Sequence, residues 1–403
     1  MFKGKKNFRV IDDDEEIEIN IDEVEKDIET QIKTHKRKRR IIISIVMTVL
    51  IIVTVGTGLF IHYQTYTTVR DIEKYDSDSE DNSSYIKFLN GVLKYSKDGV
   101  SLVSNDGKET WNSPYEMKNP IVAISAKSVA VGDKGANQIL VFDKNGIKGE
   151  IKTTSPIEKI NISEQGIVCA VLSNDNDPEI VCYDASGNIL VQHSASFSNS
   201  GYPVDAEISS DGKTLMVSYL NIGNESITSK VNYYNFAGEE DNNKEISIVD
   251  KEYKNTIVPT VFFMGNNISV HVGDNQMSII RGSEKLDEVA NITFDNEILS
   301  VVNSDKLIGI VEKDKTDYRL YLYDVRGKEV LNKKFSTEYS HIKLVGNEVI
   351  MYDGTKCCII TRDGVIRFEG DTQRNILEIY PVIGINKYIV VSETGIESVR
   401  LTK

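Results

Sequence analysis

Two cysteines stand next to each other in TKCCIITRDG, Cys357 and Cys358, and two more, Cys169 and Cys182, flank the turn at Asp175-Asn176 at equal distances. Adjacent cysteines can close a vicinal disulfide. On a strand, however, consecutive side chains face opposite sides, and a bond would distort the peptide, so Cys357 and Cys358 are expected as separate thiols. Cys169 and Cys182 could face each other across a hairpin. They read as two small buried core residues, with a cross-strand disulfide as the other reading. Five histidines, His35, His62, His193, His271 and His341, are too scattered for a local metal motif. The last three could meet only through folding, and solvated or core positions are expected for them. There is no zinc pattern of paired cysteines, no H-E-x-x-H and no G-x-S-x-G.

Gly212-Lys213-Thr214 resembles the end of a phosphate-binding loop, but Glu207 stands where that loop needs its first glycine. DGKT therefore reads as a hairpin turn. Asp76, Asp78 and Glu80 alternate like the start of a calcium loop. The turn glycine and the closing glutamate are missing, and a solvated stalk is the better reading. Carboxylates crowd the turns, for instance Asp175, Asp177, Glu239, Glu240 and Asp241. No acid–base pair can be chosen among them, and catalytic residues stay unknown. No metal ligand and no cofactor-binding residue is assigned.

The element that must organise any chemistry is the uncharged run 41–61, IIISIVMTVLIIVTVGTGLFI, 21 residues long. As a helix it spans about 30 Å, the depth of a bilayer core. Lys33, Lys36, Arg37, Lys38, Arg39 and Arg40 crowd its start, while Arg70 is the first positive charge after it. That asymmetry predicts a cytoplasmic N-terminus and an extracytoplasmic body. The length of the run and the lack of a small-residue cleavage site favour an uncleaved signal anchor over a removed signal peptide. Four segments follow: a charged cytoplasmic head at 1–40, the transmembrane anchor at 41–61, an extracytoplasmic linker at 62–84 and a large domain at 85–403.

In the head, Ile17, Ile21, Val24 and Ile28 are spaced four, three and four apart. One reading is a short helix that docks on a partner or on its twin, giving a homodimer; the other is a solvated head without fixed structure. Thr54 and Gly58 make a weak small-residue pair within the anchor. The net charge of −14 lies in the outer body, because the first 40 residues carry 11 basic and 11 acidic side chains. An acidic body excludes nucleic acid, anionic lipid and anionic wall polymers as bulk electrostatic partners. Four cysteines and one tryptophan do not make a disulfide scaffold.

The body repeats. An apolar strand, often ending in Tyr or Phe, runs into a polar pair and a glycine and then into another strand, as in LVFDKNGIKGEI, VCYDASGNILVQ and YLYDVRGKEVLN. The glycines are Gly107, Gly146, Gly187, Gly238, Gly282, Gly327 and Gly364, spaced 39, 41, 51, 44, 45 and 37 apart. Each is expected to adopt the positive φ of a tight hairpin turn. A period of this size with no helical periodicity predicts an all-β fold: an eight-bladed β-propeller, alternatively seven-bladed, with units opening near Tyr85, Pro120, Pro156, Pro203, Val258, Ile298, Ile342 and Leu377. An open β-solenoid is the structural rival. The last unit lacks a fourth strand, which residues 64–73 or 85–90 could lend to close the ring.

Phe142-Asp143, Tyr183-Asp184 and Tyr323-Asp324 before glycine, together with DGKETW ending at Trp111, resemble quinoprotein-like and WD40-like β-propellers. The layout is similar to an uncharacterised bacterial family of single-pass, membrane-anchored propellers. The quinoprotein resemblance implies a quinone cofactor. Only Trp111 fills a docking-tryptophan position, so no cofactor is expected. The function expected is that of a membrane-tethered extracytoplasmic binding or scaffold protein of the cell envelope, without catalysis. Its partner at the propeller mouth would be an envelope protein, a peptide or a wall fragment. A propeller enzyme (a quinone-cofactor dehydrogenase or a hydrolase) and a single-pass sensor that signals to the head are the alternatives.

Overall fold

The computed structural model describes residues 7–12, 15–76, 82–174, 177–195, 200–223, 226–235 and 247–403. The chain divides into two compact units, Met1–Gln64 and Thr65–Lys403.

The first unit pairs strand Asn7–Asp12 with strand Glu15–Asn20 and continues as one helix, Ile21–His62. Val24–His62 is long and apolar enough to cross a membrane. Its hydroxyls are satisfied within the helix: Thr48 donates to the Ser44 carbonyl and Thr57 to the Val53 carbonyl, each at 2.9 Å. That matters in hydrocarbon, where no water would serve them. The expected seam is corrected at one end. Ile17 lies on a strand, in register with Val10, while Ile21, Val24 and Ile28 are helical. The reason is local: Ile17 and Ile19 alternate with charged residues at period two, which suits a strand.

The second unit is an eight-bladed β-propeller. Each blade is a four-stranded antiparallel sheet. Blades 1 to 7 run in simple strand order and occupy residues 84–114, 120–152, 157–194, 202–254, 260–293, 298–335 and 341–371. Blade 8 takes three strands from 376–402 and its fourth from Thr68–Asp76. The stretch read as a linker therefore supplies the closing strand. Of the calcium-like triplet, Asp76 ends this strand, and Asp78 and Glu80 lie outside the described residues.

The blade count is fixed by packing. Buried side chains form eight apolar clusters, one at each junction of neighbouring blades. The cluster of Tyr85 and Val92 with Tyr380, Ile389, Val391 and Ile396 joins blade 1 to blade 8 and completes the ring. This excludes the seven-bladed and solenoid alternatives. Second strands such as Val129–Asp133 and Val168–Leu172 are buried on both sides and read as continuous apolar runs; outer strands such as Glu109–Pro114 alternate and face water.

The repeated glycine sits in the turn between the third and fourth strands. Gly107, Gly146, Gly187, Gly282, Gly327 and Gly364 all have positive φ, while Gly238 lies outside the described residues. The preceding aspartate caps the turn: Asp184 Oδ1 accepts the Ser186 and Asn188 amides, and Asp324 Oδ1 accepts those of Arg326 and Lys328. The aromatic residue before it points inward, and Phe142, Tyr183 and Tyr323 are buried.

The ring has two faces. The entry face carries the turns between strands one and two and between three and four, and there the chain enters at Thr67, whose amide donates to the Thr402 carbonyl. The crossover face carries the turns between strands two and three and the connections from blade to blade.

Candidate binding surface

First strands of neighbouring blades lie against one another around the central channel at the junctions of blades 2 and 3, 3 and 4, 4 and 5, 6 and 7, and 8 and 1. Register shifts at Ile157/Lys159, Pro203/Asp205 and Ile376/Glu378 bulge these strands, and Lys159, Asp205 and Glu378 reach across to neighbouring blades. Lys159 of blade 3 forms an ion pair with Asp205 of blade 4. The other oxygen of Asp205 accepts the Val261 amide of blade 5 at 2.9 Å, so one carboxylate ties three blades together. Asn161 donates to Glu207 at 2.6 Å. Burial, with the charge of Asp205 added, pushes the Glu207 carboxyl up to about 8, against the pull of Lys159 and Asn161. Across the ring, Lys343 of blade 7 pairs with Glu378 of blade 8. Burial and the charge of Lys87 push the Lys343 ammonium down to about 7. These polar groups satisfy one another across blade junctions.

The structure keeps the three body histidines apart. His271 is buried at the junction of blades 4 and 5, between the hydroxyls of Tyr233 (2.6 Å from Nε2) and Tyr253 (2.7 Å from Nδ1). Burial and Lys251 push its imidazole down to about 3, so the ring is neutral and donates to one tyrosine while accepting from the other. His193 lies against Tyr234 in blade 3's junction with blade 4, and His341 stacks on Tyr352 in blade 7. Among the described residues no three of His, Cys, Asp and Glu come together as a metal site.

Cys357 and Cys358 are free, buried and on opposite sides of their strand, one in the junction toward blade 8 and the other in that toward blade 6. Burial raises both thiols, Cys358 to about 12, so neither is an available nucleophile. Cys169 and Cys182, read first as two core residues, are joined by a disulfide across directly opposed positions of the blade 3 hairpin, with Cα atoms 4.1 Å apart. The close, non-hydrogen-bonded cross-strand site brings the sulfurs within bonding reach. Gly212-Lys213-Thr214 forms the hairpin turn between the first two strands of blade 4, where Gly212 has a φ of 69°. Trp111 stacks on Phe142 of the next blade with ring centroids 5.2 Å apart.

A surface shaped to hold a ligand lies on the crossover face, over blades 4 to 6. Strands Thr214–Ile222 and Ile227–Asn235 have nine residues each, against five in the second strands of blades 2 and 3. Ile222 and Ile227 pair near the tip of this long hairpin, and Ile222 is 73% exposed. Below the tip lie two grooves of about 450 Å³ and 580 Å³, which share Ile257 and Asp274. Leu299, 52% exposed, lines the second. The charged members are acidic: Glu297, and Asp274, which accepts the Ile257 amide at 2.9 Å. Among the described residues neither groove has a lysine or an arginine in its lining. Sequence reasoning missed this surface because its residues come from three blades; the one local signal was the longer spacing of blade 4.

The architecture is shared with many solved structures, of which two serve as examples. BamB from Moraxella catarrhalis is 10% identical, with 82% of this chain and 99% of that chain covered and a TM-score of 0.51. Sqt1 from Saccharomyces cerevisiae is 12% identical, with 84% and 100% covered and a TM-score of 0.52. At such identities the likeness concerns the fold alone. No curated protein matches the chain. Residues 62–401 match DUF5711, described as a family of unknown function, and the chain belongs to that family.

Proposed function

We propose that this protein is a membrane-tethered, extracytoplasmic scaffold of the cell envelope that holds a partner protein on the crossover face of its propeller. The observation that carries this reading is the groove pair over blades 4 to 6, where exposed Ile222, Ile227, Ile257 and Leu299 surround the acidic Asp274 and Glu297. Isolated surface isoleucines need no explanation, but a contiguous apolar strip with shaped grooves and charge of one sign marks an interaction site. The matching partner segment carries apolar anchors flanked by lysine or arginine. The helix after KRKRR supports the tether, with the head on the cytoplasmic side. The Cys169–Cys182 disulfide supports an oxidising compartment for the body. The fold shared with BamB and Sqt1 is consistent with a binding platform, since a rigid ring presents loops from several blades at one place.

A photo-crosslinking residue placed at Ile227 or at Leu299 in growing cells tests the reading, with Ile189 on the outer strand of blade 3 as control. One adduct of the same mass from both groove positions, absent from the control and weakened by Ile222→Asp, is the expected result. Equal labelling at all three positions, or none in the groove, would remove this surface from consideration.

A further inference from the structure

The entry face carries a second apolar feature that the partner groove does not use. In blade 8 the turn between the first and second strands is the loop 382–386, VIGIN. Ile383 at its tip is fully exposed and Ile385 is 62% exposed. Leu89, at the corresponding turn of blade 1, is exposed beside them, and Leu89, Val382 and Ile383 line a groove of about 780 Å³ between the two blades. The stem of the loop is fixed. The Val382 amide donates to the Lys387 carbonyl, the Asn386 carbonyl accepts the Leu401 amide at 2.9 Å, and the Asn386 side-chain oxygen accepts from Arg367 at 2.8 Å. The Arg367 carbonyl in turn accepts the Tyr66 amide at 2.8 Å. The exposed loop thus shares a hydrogen-bonded path with the point where the chain joins the ring.

We infer that loop 382–386 is a second membrane contact, and that its isoleucines enter the interfacial layer of the bilayer. The inference rests on the reading of the apolar helix as a membrane anchor. In sequence only residues 63–65 part the end of that helix from Tyr66, so a bilayer holding the helix lies within a short tether of the entry face, at most about 14 Å of extended chain. An isoleucine pair held rigidly at that face meets lipid without a new ordering cost, and the tether keeps its effective concentration high. Lys387 and Lys403, at the same end of the blade, can keep their ammonium groups at headgroup level. The contact is apolar rather than electrostatic, in keeping with the acidic body. Its consequence is orientation: with the entry face held against lipid, the crossover groove points away from the membrane.

The test uses the full chain reconstituted into liposomes of phosphatidylethanolamine and phosphatidylglycerol. An environment-sensitive fluorophore is attached at Ile383→Cys or, as control, at Ile222→Cys. The native cysteines do not compete, because two are bonded and two are buried. Lipids with a quencher high on the acyl chain should quench position 383 severalfold more than position 222, and adding Ile385→Asp should reduce the difference by at least half. A chain that floats with the liposomes yet shows no quenching at 383 overturns the inference and leaves the anchor intact. A chain that fails to float overturns the anchor reading and this inference with it. A label at 383 that is shielded in cells but unquenched in liposomes points to a protein occupant and also overturns the lipid contact.

Discussion

Thr68 and Thr402 face each other in antiparallel register, 334 residues apart, with their hydroxyls 2.8 Å from one another. The first strand of the ring thereby lies beside the last. Without it the third strand of blade 8, Gly395–Thr402, would present a free edge, the arrangement that invites pairing with another chain. Arg374 fastens the closure by donating to Asp71 at 2.8 Å and pairing with the buried Glu397.

Arg374→Ala should cost about 2–3 kcal/mol in urea unfolding, since it leaves the Glu397 carboxylate buried with the more distant Lys74 and the Thr394 hydroxyl for compensation. Amide hydrogen exchange should quicken along residues 68–75. A loss of that size spread evenly over all eight blades would show that Arg374 does not act at the closure.

Lys159→Met should cost about 2 kcal/mol. This is below the 3–5 kcal/mol usual for breaking a buried pair, because Asp205 keeps the amides of Ala206 and Val261 and Lys159 is itself half exposed. Lys159→Met with Asp205→Asn should recover part of the loss. Strict additivity in the double-mutant cycle would rule out the pairing.

His271 gives stability a pH dependence of known sign. Its folded pKa of about 3 lies below the ordinary 6.5, so over that window the unfolded chain binds a proton that the folded ring refuses. Stability is complete above pH 6.5 and falls as pH drops toward 3, by at most about 1.4 kcal/mol per pH unit from this group. His271→Gln should flatten the difference between denaturation midpoints measured at pH 7 and pH 5. An unchanged slope would mean that another group carries the acid sensitivity.

Reducing the Cys169–Cys182 bond should cost about 2–3 kcal/mol, up to the chain-entropy value for a loop of this length. Intact mass should rise by the two hydrogens, and reduction should leave a Cys169→Ser/Cys182→Ser variant unaffected. Equal sensitivity to reductant in that variant would show that the loss does not come from this bond.

By itself the sequence determined the architecture, because the signals that encode it are local. The uncharged run 41–61 and the basic cluster before it define one apolar helix and the expected orientation. A tight turn must use a residue that tolerates positive φ, so blades 1, 2, 3, 5, 6 and 7 each leave a glycine in the text, in blades 2, 3 and 6 with the capping Asp143, Asp184 or Asp324 just before it. Those marks were enough to count eight units and to notice the missing strand. Ile17 shows the limit, since a four-three-four spacing and a two-residue alternation overlap there and a short segment supports either.

Only the tertiary structure decided which residues meet. Lys159, Asp205 and Val261 come from three blades, and Ile227, Ile257 and Leu299 likewise converge from three. The exposed loop at Ile383 reaches the chain entry at Tyr66 through Asn386 and Arg367, more than 300 residues along the chain. A propeller builds its channel and its faces from side chains one blade apart, roughly 40 residues in sequence. No local pattern records such neighbours; they exist only once the ring has closed.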